Sequence, residues 1–142
     1  MISTKGGYAL RVLIDLADQG AGARVPLKDI AARQGISEKY LQHIVRTLVA
    51  GELLEGTSGK GGGYTLTKKP EEYVVSDVLE LVEGTIAPVA CLEKDAVPCE
   101  RAATCKTLSM WKGFYERELA YFGSITVASL QEGQPVNAGA AS

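Results

Sequence analysis

A chain of 142 residues with 46% hydrophobic and 23% charged side chains has the balance of an ordinary globular protein, which argues against disorder and for one core with an appended helix or two. No apolar run reaches the roughly 18 to 20 residues that cross a bilayer, and the opening MISTKGGYALRV lacks a signal peptide's compact apolar block, so a cytoplasmic protein without membrane association is expected. The formal net charge of −2 divides unevenly: residues 1–69 hold ten Lys/Arg against six Asp/Glu, residues 70–142 five against eleven, so only the front half is suited to approach phosphates.

Residues 8–19 place Leu10, Leu13, Ile14, Leu16 and Ala17 on one helical stripe, ended by Gly20 and Gly22. After Pro26, LKDIAARQ repeats the helical period through Leu27, Ile30 and Ala31. Gly35 and Ile36 make a tight corner, and Ser37 is placed to cap SEKYLQHIVRTLV. Two short helices about a glycine turn amount to a helix-turn-helix. The second buries Leu41, Ile44, Val45 and Leu48 and leaves Glu38, Lys39, Gln42, His43 and Arg46 outward, with the length and polarity to reach base edges and phosphates. The same pattern also describes an ordinary solvated helix face.

Residues 53–56 and 64–67 read as two short strands around TSGKGGG. A two-stranded arm with Lys60 at a glycine-rich tip is the wing of a winged helix, able to follow the sugar-phosphate backbone. The alternative, a nucleotide phosphate loop, lacks the GxxxxGK[ST] spacing. Ser76 is placed to cap DVLELVEG, with Val78, Leu79 and Val82 inward. Residues 85–104 are irregular. From about 102 to 122 a helix carries Leu108, Trp111, Tyr115, Leu119 and Phe122 in one stripe, with too little else in the chain to cover it, so self-association is expected. Thr126 is placed to cap VASLQ, whose Val127 and Leu130 are expected to dock on the dimer, and residues 132–142 to fray.

The three cysteines are spaced C-x7-C-x5-C at Cys91, Cys99 and Cys105. An odd number cannot all pair internally, so the alternatives are inert thiols or thiolate ligation. Cys105 comes near the start of a helix, where free amides and the dipole favour a thiolate. The spacing is wider than the C-x2–4-C edge of common zinc sites and suits something larger, such as an iron–sulfur cluster, although three cysteines give only three ligands. An enzyme is disfavoured, since His43 is the only histidine and the carboxylates show no paired-acid spacing. A protein–protein adaptor without DNA activity is a further alternative.

The segments STKGGYAL, QGISEKYL and GKGGGYTL, with VSDVLELVEG and the cysteine stretch ending CKTLSMW, resemble the Rrf2 family of bacterial regulators over about residues 1–130. The resemblance implies a mainly α fold with a small β wing: a winged helix-turn-helix domain at 1–84, a cysteine-containing sensor loop at 85–104, a dimerisation helix and docking helix at 105–131, and a flexible tail at 132–142. It implies a homodimer on double-stranded promoter DNA. Phosphate contacts fall to Lys5, Lys28, Lys39, Arg46 and Lys60, base reading to Gln42 and His43, and seating of the helix to Ser37 and Tyr40; Glu38, Ser58, Gly61, Gly62 and Tyr64 complete the DNA-binding set.

By the same resemblance Cys91, Cys99 and Cys105 take the ligand positions of a [2Fe-2S] or [4Fe-4S] cluster that senses iron–sulfur, redox or nitric oxide status, with iron–sulfur donor proteins as partners. The alternative is a cluster-free repressor responding to thiol oxidation or a small sulfur-metabolism effector. The chain departs from the family where some members place a histidine ligand, here Leu108, and where others place an acidic one, here Gly7. The fourth ligand is thus unknown, with Glu93, Asp95, Glu100, Thr107 and Asp15 as substitutes. Gln42 and His43 stand where members often carry Glu-Gln, and Ser58 where an arginine stands near the wing base. An amide in place of a carboxylate adds a donor and shifts base preference toward adenine.

Overall fold

The computed structural model describes residues 2–97 and 99–133. Most of the expected tail at 132–142 lies outside the described residues. Six helices and one hairpin follow in the order α1 (Thr4–Asp18), α2 (Leu27–Gln34), α3 (Glu38–Ala50), β1 (Leu54–Thr57), β2 (Gly63–Leu66), α4 (Val75–Glu83), α5 (Leu108–Gly123) and α6 (Val127–Gln131). The mainly α architecture with a two-stranded wing and a C-terminal helix is that of a winged helix-turn-helix.

Helix α1 starts four residues earlier than its apolar stripe. Ser3 Oγ accepts from the Lys5 N–H at 3.2 Å, and the Glu83 carboxylate of α4 accepts from the Ser3 and Gly6 N–H groups at 2.8 Å each. A distant side chain thus satisfies amides that Gly6 and Gly7 would otherwise leave weakly held. A Cβ on Gly6 would stand 2.7 Å from Glu83 Oε2 and 2.8 Å from Leu79 Cδ2, so a larger residue there would displace the carboxylate that holds the start of α1.

Ser37 caps α3 as its sequence implies, accepting from the Tyr40 N–H at 3.2 Å. Ser76 does not cap α4. That helix begins at Val75, and its first N–H donates instead to Ile125 O at 2.9 Å; the turn after α5 does the work expected of a hydroxyl. A second strap, Val127 N–H to Tyr73 O at 3.0 Å, fixes α6 to the same segment.

The main core gathers Val12, Leu13, Ile30, Leu41, Ile44, Leu48 and Leu54 from α1, α2, α3 and β1. Val127 is wholly buried in it, which corrects its expected role on a dimer surface: α6 folds back on α1, and its first apolar residue fills its own chain's core. A smaller cluster of Val75, Leu79, Ile86 and Ile125 takes Leu130 and the Tyr115, Leu119 and Phe122 side of α5 against it.

α5 is shorter than its pattern suggests. Residues 99–104 form two overlapping four-residue turns, Ala102 N–H to Cys99 O and Thr104 N–H to Arg101 O, both 3.0 Å. Thr104 Oγ1 donates to Arg101 O at 3.4 Å, a local bond that competes with helix. The cysteines therefore all precede the helix.

Candidate nucleic-acid interface and cysteine loop

The outer side of α3 exposes Glu38, Lys39, Gln42, His43 and Arg46 while Leu41, Ile44, Val45 and Leu48 are buried. The helix is seated on α1 by aromatic contact. Tyr40 meets Tyr8 edge-on at 5.5 Å between ring centroids, Tyr40 Oη lies 3.4 Å from Thr4 Oγ1, and Arg11 rests over the Tyr8 ring at 5.1 Å. Tyr40 thus ties α3 to α1, while Ser37 caps the first turn of α3 itself.

The wing pairs Leu54 with Leu66 through Thr57 with Gly63 in antiparallel register. Val25, just before α2, adds a third edge by exchanging both backbone bonds with Tyr64, at 2.8 and 2.9 Å. Glycine is needed where the tip closes: a Cβ on Gly62 would come 2.2 Å from Thr57 O, and Gly63, at φ +152°, would bring one 2.5 Å from Val25 O. Lys60 and Ser58 are exposed beside Gly61, whereas Gly62 and Tyr64 are half-buried.

Arg46, Ser58 and Tyr64 meet Val49, Gly56 and Thr57 around a groove of about 350 Å³ between α3 and the wing. Lys5 and Lys28 stand apart from it: Lys28 is exposed on α2, and half-buried Lys5 helps keep Glu83 ionised. Burial pushes the Glu83 carboxyl up, but the hydrogen bonds from Ser3 and Gly6 outweigh it and hold the group below the usual carboxylate range.

Tyr73 was not legible as a functional residue. It is 1% exposed; its hydroxyl donates to Leu53 O at 2.7 Å and accepts from the Thr67 N–H at 2.9 Å, clamping the two legs of the wing. Its apolar neighbours in sequence signalled only core.

Cys91, in the turn Ala90–Leu92, and Cys99 and Cys105 are all exposed free thiols. They border one cavity of about 190 Å³ with Leu92, Ala102, Leu108 and Lys112. Thiolates suit soft metals, yet among the described residues no three His, Cys, Asp or Glu side chains are grouped to hold a metal ion. The thiols share a cavity without converging on one point.

Of the substitute ligands, Asp15 is corrected outright. It is 3% exposed and saturated by Arg33 at 2.8 Å and Gln34 Nε2 at 2.9 Å, a structural pair that ties α1 to α2. Glu93 faces a different cavity, with Glu80, Glu83 and Lys94. Asp95 and Glu100 are exposed and outside the lining of the cysteine cavity. Thr107 Oγ1 lies 3.4 Å from Cys105 Sγ. That contact first, then the Thr107 and Leu108 amides at the start of α5 and the charge of Arg101, hold the Cys105 thiol below its ordinary range.

The Rrf2 family profile, described as an iron-dependent transcriptional regulator, matches residues 2–133. The chain belongs to the Rrf2 family. Rrf2 membership makes it a transcriptional regulator rather than an enzyme. It is 37% identical over 129 residues to "Protein rrf2" of Nitratidesulfovibrio vulgaris, covering 91% of this chain and 85% of that protein. It is 33% identical over 135 residues to the HTH-type transcriptional regulator IscR of Serratia proteamaculans, covering 95% and 81%.

Among solved structures of Rrf2-type proteins, CymR (YrzC), the global cysteine regulator of B. subtilis, superposes with a TM-score of 0.71 at 30% identity, over 94% of this chain and 98% of that one. T. potens IscR gives 0.73 at 29%, over 96% and 90%. Among the described residues no helix is long and apolar enough to cross a membrane.

Proposed function

We propose that this Rrf2-type regulator works as a homodimer on double-stranded promoter DNA and responds to thiol oxidation or to a small sulfur-metabolism effector. The observation that carries the sensing half is the exposure of all three cysteines around one cavity, with Cys105 held toward its thiolate. The likeness to the global cysteine regulator CymR supports it. In this reading residues 1–84 read DNA, residues 85–104 sense, and residues 105–131 carry the dimer contact. Support for the dimer comes from Met110, Phe114 and Tyr121, which are 57%, 51% and 48% exposed on α5. A regulator of promoter DNA acts in the cytoplasm, where these thiols meet a reducing pool.

On the DNA side, Lys39, Arg46 and Lys60 are assigned to phosphates, with Lys5 and Lys28 flanking, and Gln42 and His43 to base edges. Ser58 and Tyr64 line the groove assigned to the backbone, with Glu38 on the outer side of α3 and Gly61 and Gly62 at the wing tip completing the set. Replacing Lys60 with Ala is expected to weaken binding to all sequences and lower the salt slope by about 1, whereas Gln42→Ala changes the preferred base by about 1–3 kcal/mol. Anisotropy titrations of promoter fragments at several salt concentrations check both; the reversed pattern overturns the assignment.

A second reading places a [2Fe-2S] or [4Fe-4S] cluster on Cys91, Cys99 and Cys105, supplied by iron–sulfur donor proteins. It draws support from the three thiols bordering a single cavity and from the family's description as iron-dependent. Anaerobic purification with iron and acid-labile sulfide analysis separates the two. The thiol reading expects metal-free protein whose DNA affinity changes with peroxide and does not change in Cys105→Ser. Stoichiometric iron and sulfide, with affinity following their loss, would instead establish the cluster.

A further inference from the structure

A cavity at the base of the wing has a lining separate from the outer side of α3 and from the cysteine loop. Behind α1 the turn at 20–23 swings away from β2 and leaves a half-open cleft of about 550 Å³, within the range of small-molecule sites. Its lining has no residue in common with the groove between α3 and the wing. Three kinds of chemistry meet in it.

The floor is apolar, formed by Leu16 and Ala17, with Ala23 and Leu66 on the walls; Leu16 is 2% exposed and Ala17 8%. One wall is an open strand edge. Tyr64 gives both of its backbone groups to Val25, and strand alternation turns the N–H and C=O of Leu66 the same way. Among the described residues no backbone hydrogen bond carries this pairing on from Leu66 to the 20–23 turn. The rim is cationic on balance. Lys68 and Lys69 border it with Glu72 as the one acid, and the Glu72 carboxylate is turned onto the Lys69 N–H at 2.9 Å. Lys68 Nζ stands over the Tyr73 ring at 5.2 Å, which holds its charge beside the cleft.

We propose that this cleft binds a small carboxylate of the acyl-amino-acid class, with its apolar side chain on Leu16 and Ala17, its amide on the Leu66 edge, and its carboxylate at Lys68 and Lys69. Such a ligand bridges the end of α1 to the base of the wing, whose far end carries Lys60. It is an input separate from the thiols, and it does not rest on the reading of the cysteine loop.

The test is an amide-resonance NMR titration of the full chain with N-acetyl-L-leucine, alongside N-acetyl-L-leucinamide, which lacks the carboxylate. Saturable shifts are expected at residues 16–23 and 65–69, with affinity about tenfold lower for the leucinamide and for the exposed-residue double variant Lys68→Ala/Lys69→Ala. Absence of saturable shifts, shifts confined to α3 or the cysteine loop, or equal binding of the two compounds overturns the proposal. So does the finding that promoter DNA perturbs Lys68 and Lys69 while N-acetyl-L-leucine perturbs nothing, which makes the rim a phosphate contact.

Discussion

Helices α1 and α5 are nearly equal in length and opposite in surroundings. α1 buries seven residues, from Gly6 to Ala17, and touches α2, α3, α4, α6 and the wing. α5 buries none: Tyr115, Leu119 and Phe122 rest partly on the small cluster behind it, while Met110, Phe114 and Tyr121 face outward. The amino-terminal half builds its core within one chain, and the rear helix has apolar side chains on two faces with neighbours among the described residues for only one. The difference teaches where to look for each function: single-chain stability in α1–α4 with the wing and α6, and the proposed dimer contact on the outward side of α5.

The sharpest way to break this comparison is a pair of truncations. Leu41→Ala, at a site with no exposure, is expected to cost about 2–5 kcal/mol in urea unfolding. Phe114→Ala is expected to leave the single chain within about 0.5 kcal/mol while weakening self-association in sedimentation equilibrium by about 2 kcal/mol. Equal losses of chain stability in both would erase the distinction.

Tyr73→Phe tests whether the wing belongs to the self-sufficient half. Removing a hydroxyl that serves both Leu53 O and the Thr67 N–H is expected to cost about 1–2 kcal/mol, with faster amide exchange at Thr67. An unchanged exchange rate there would mean that the wing legs hold together without the clamp.

The two serines sharpen the same contrast at smaller scale. Ser37→Ala removes a cap and is expected to cost about 1 kcal/mol, whereas Ser76→Ala, at a helix start held by Ile125 O, changes unfolding by less than about 0.5 kcal/mol. The smallest effect is a pH slope from Glu83. Its folded-state carboxyl lies below the ordinary value, so its contribution is full above the unfolded carboxylate range and disappears as pH falls through the folded value. Glu83→Gln is expected to remove that part of the acid slope; an identical slope in both proteins would show that Glu83 is not its source.

These features also mark what the chain's letters carry. The helical periods, the Gly35 corner, the Ser37 cap and the glycine-rich wing are local signals, written within a few residues of where they act. What escaped was long-range. The start of α1 depends on Glu83, eighty positions away from Ser3, the start of α4 on the carbonyl of Ile125, and the burial of Val127 on a chain reversal after α5. The candidate site divides the same way. The outward set on α3 follows from period alone, but the groove joining Arg46 to Ser58 and Tyr64 needs the wing's angle. Asp15 passed for a spare carboxylate because nothing near it in sequence announces Arg33, eighteen residues on.

Glu83 is the last residue of α4, and the cysteine-bearing stretch leaves from just beyond it. Its carboxylate grips the first turn of α1, and one turn later Tyr8 of α1 props Tyr40 of α3. The opening residues of the chain therefore act as a fulcrum, held on one side by α4, which leads into the cysteine loop, and leaned on from the other by α3. Ser3 and Gly6 share that one carboxylate as acceptor, so a displacement of Glu83 would remove both bonds. The connection runs through residues that line neither the groove nor the cysteine cavity.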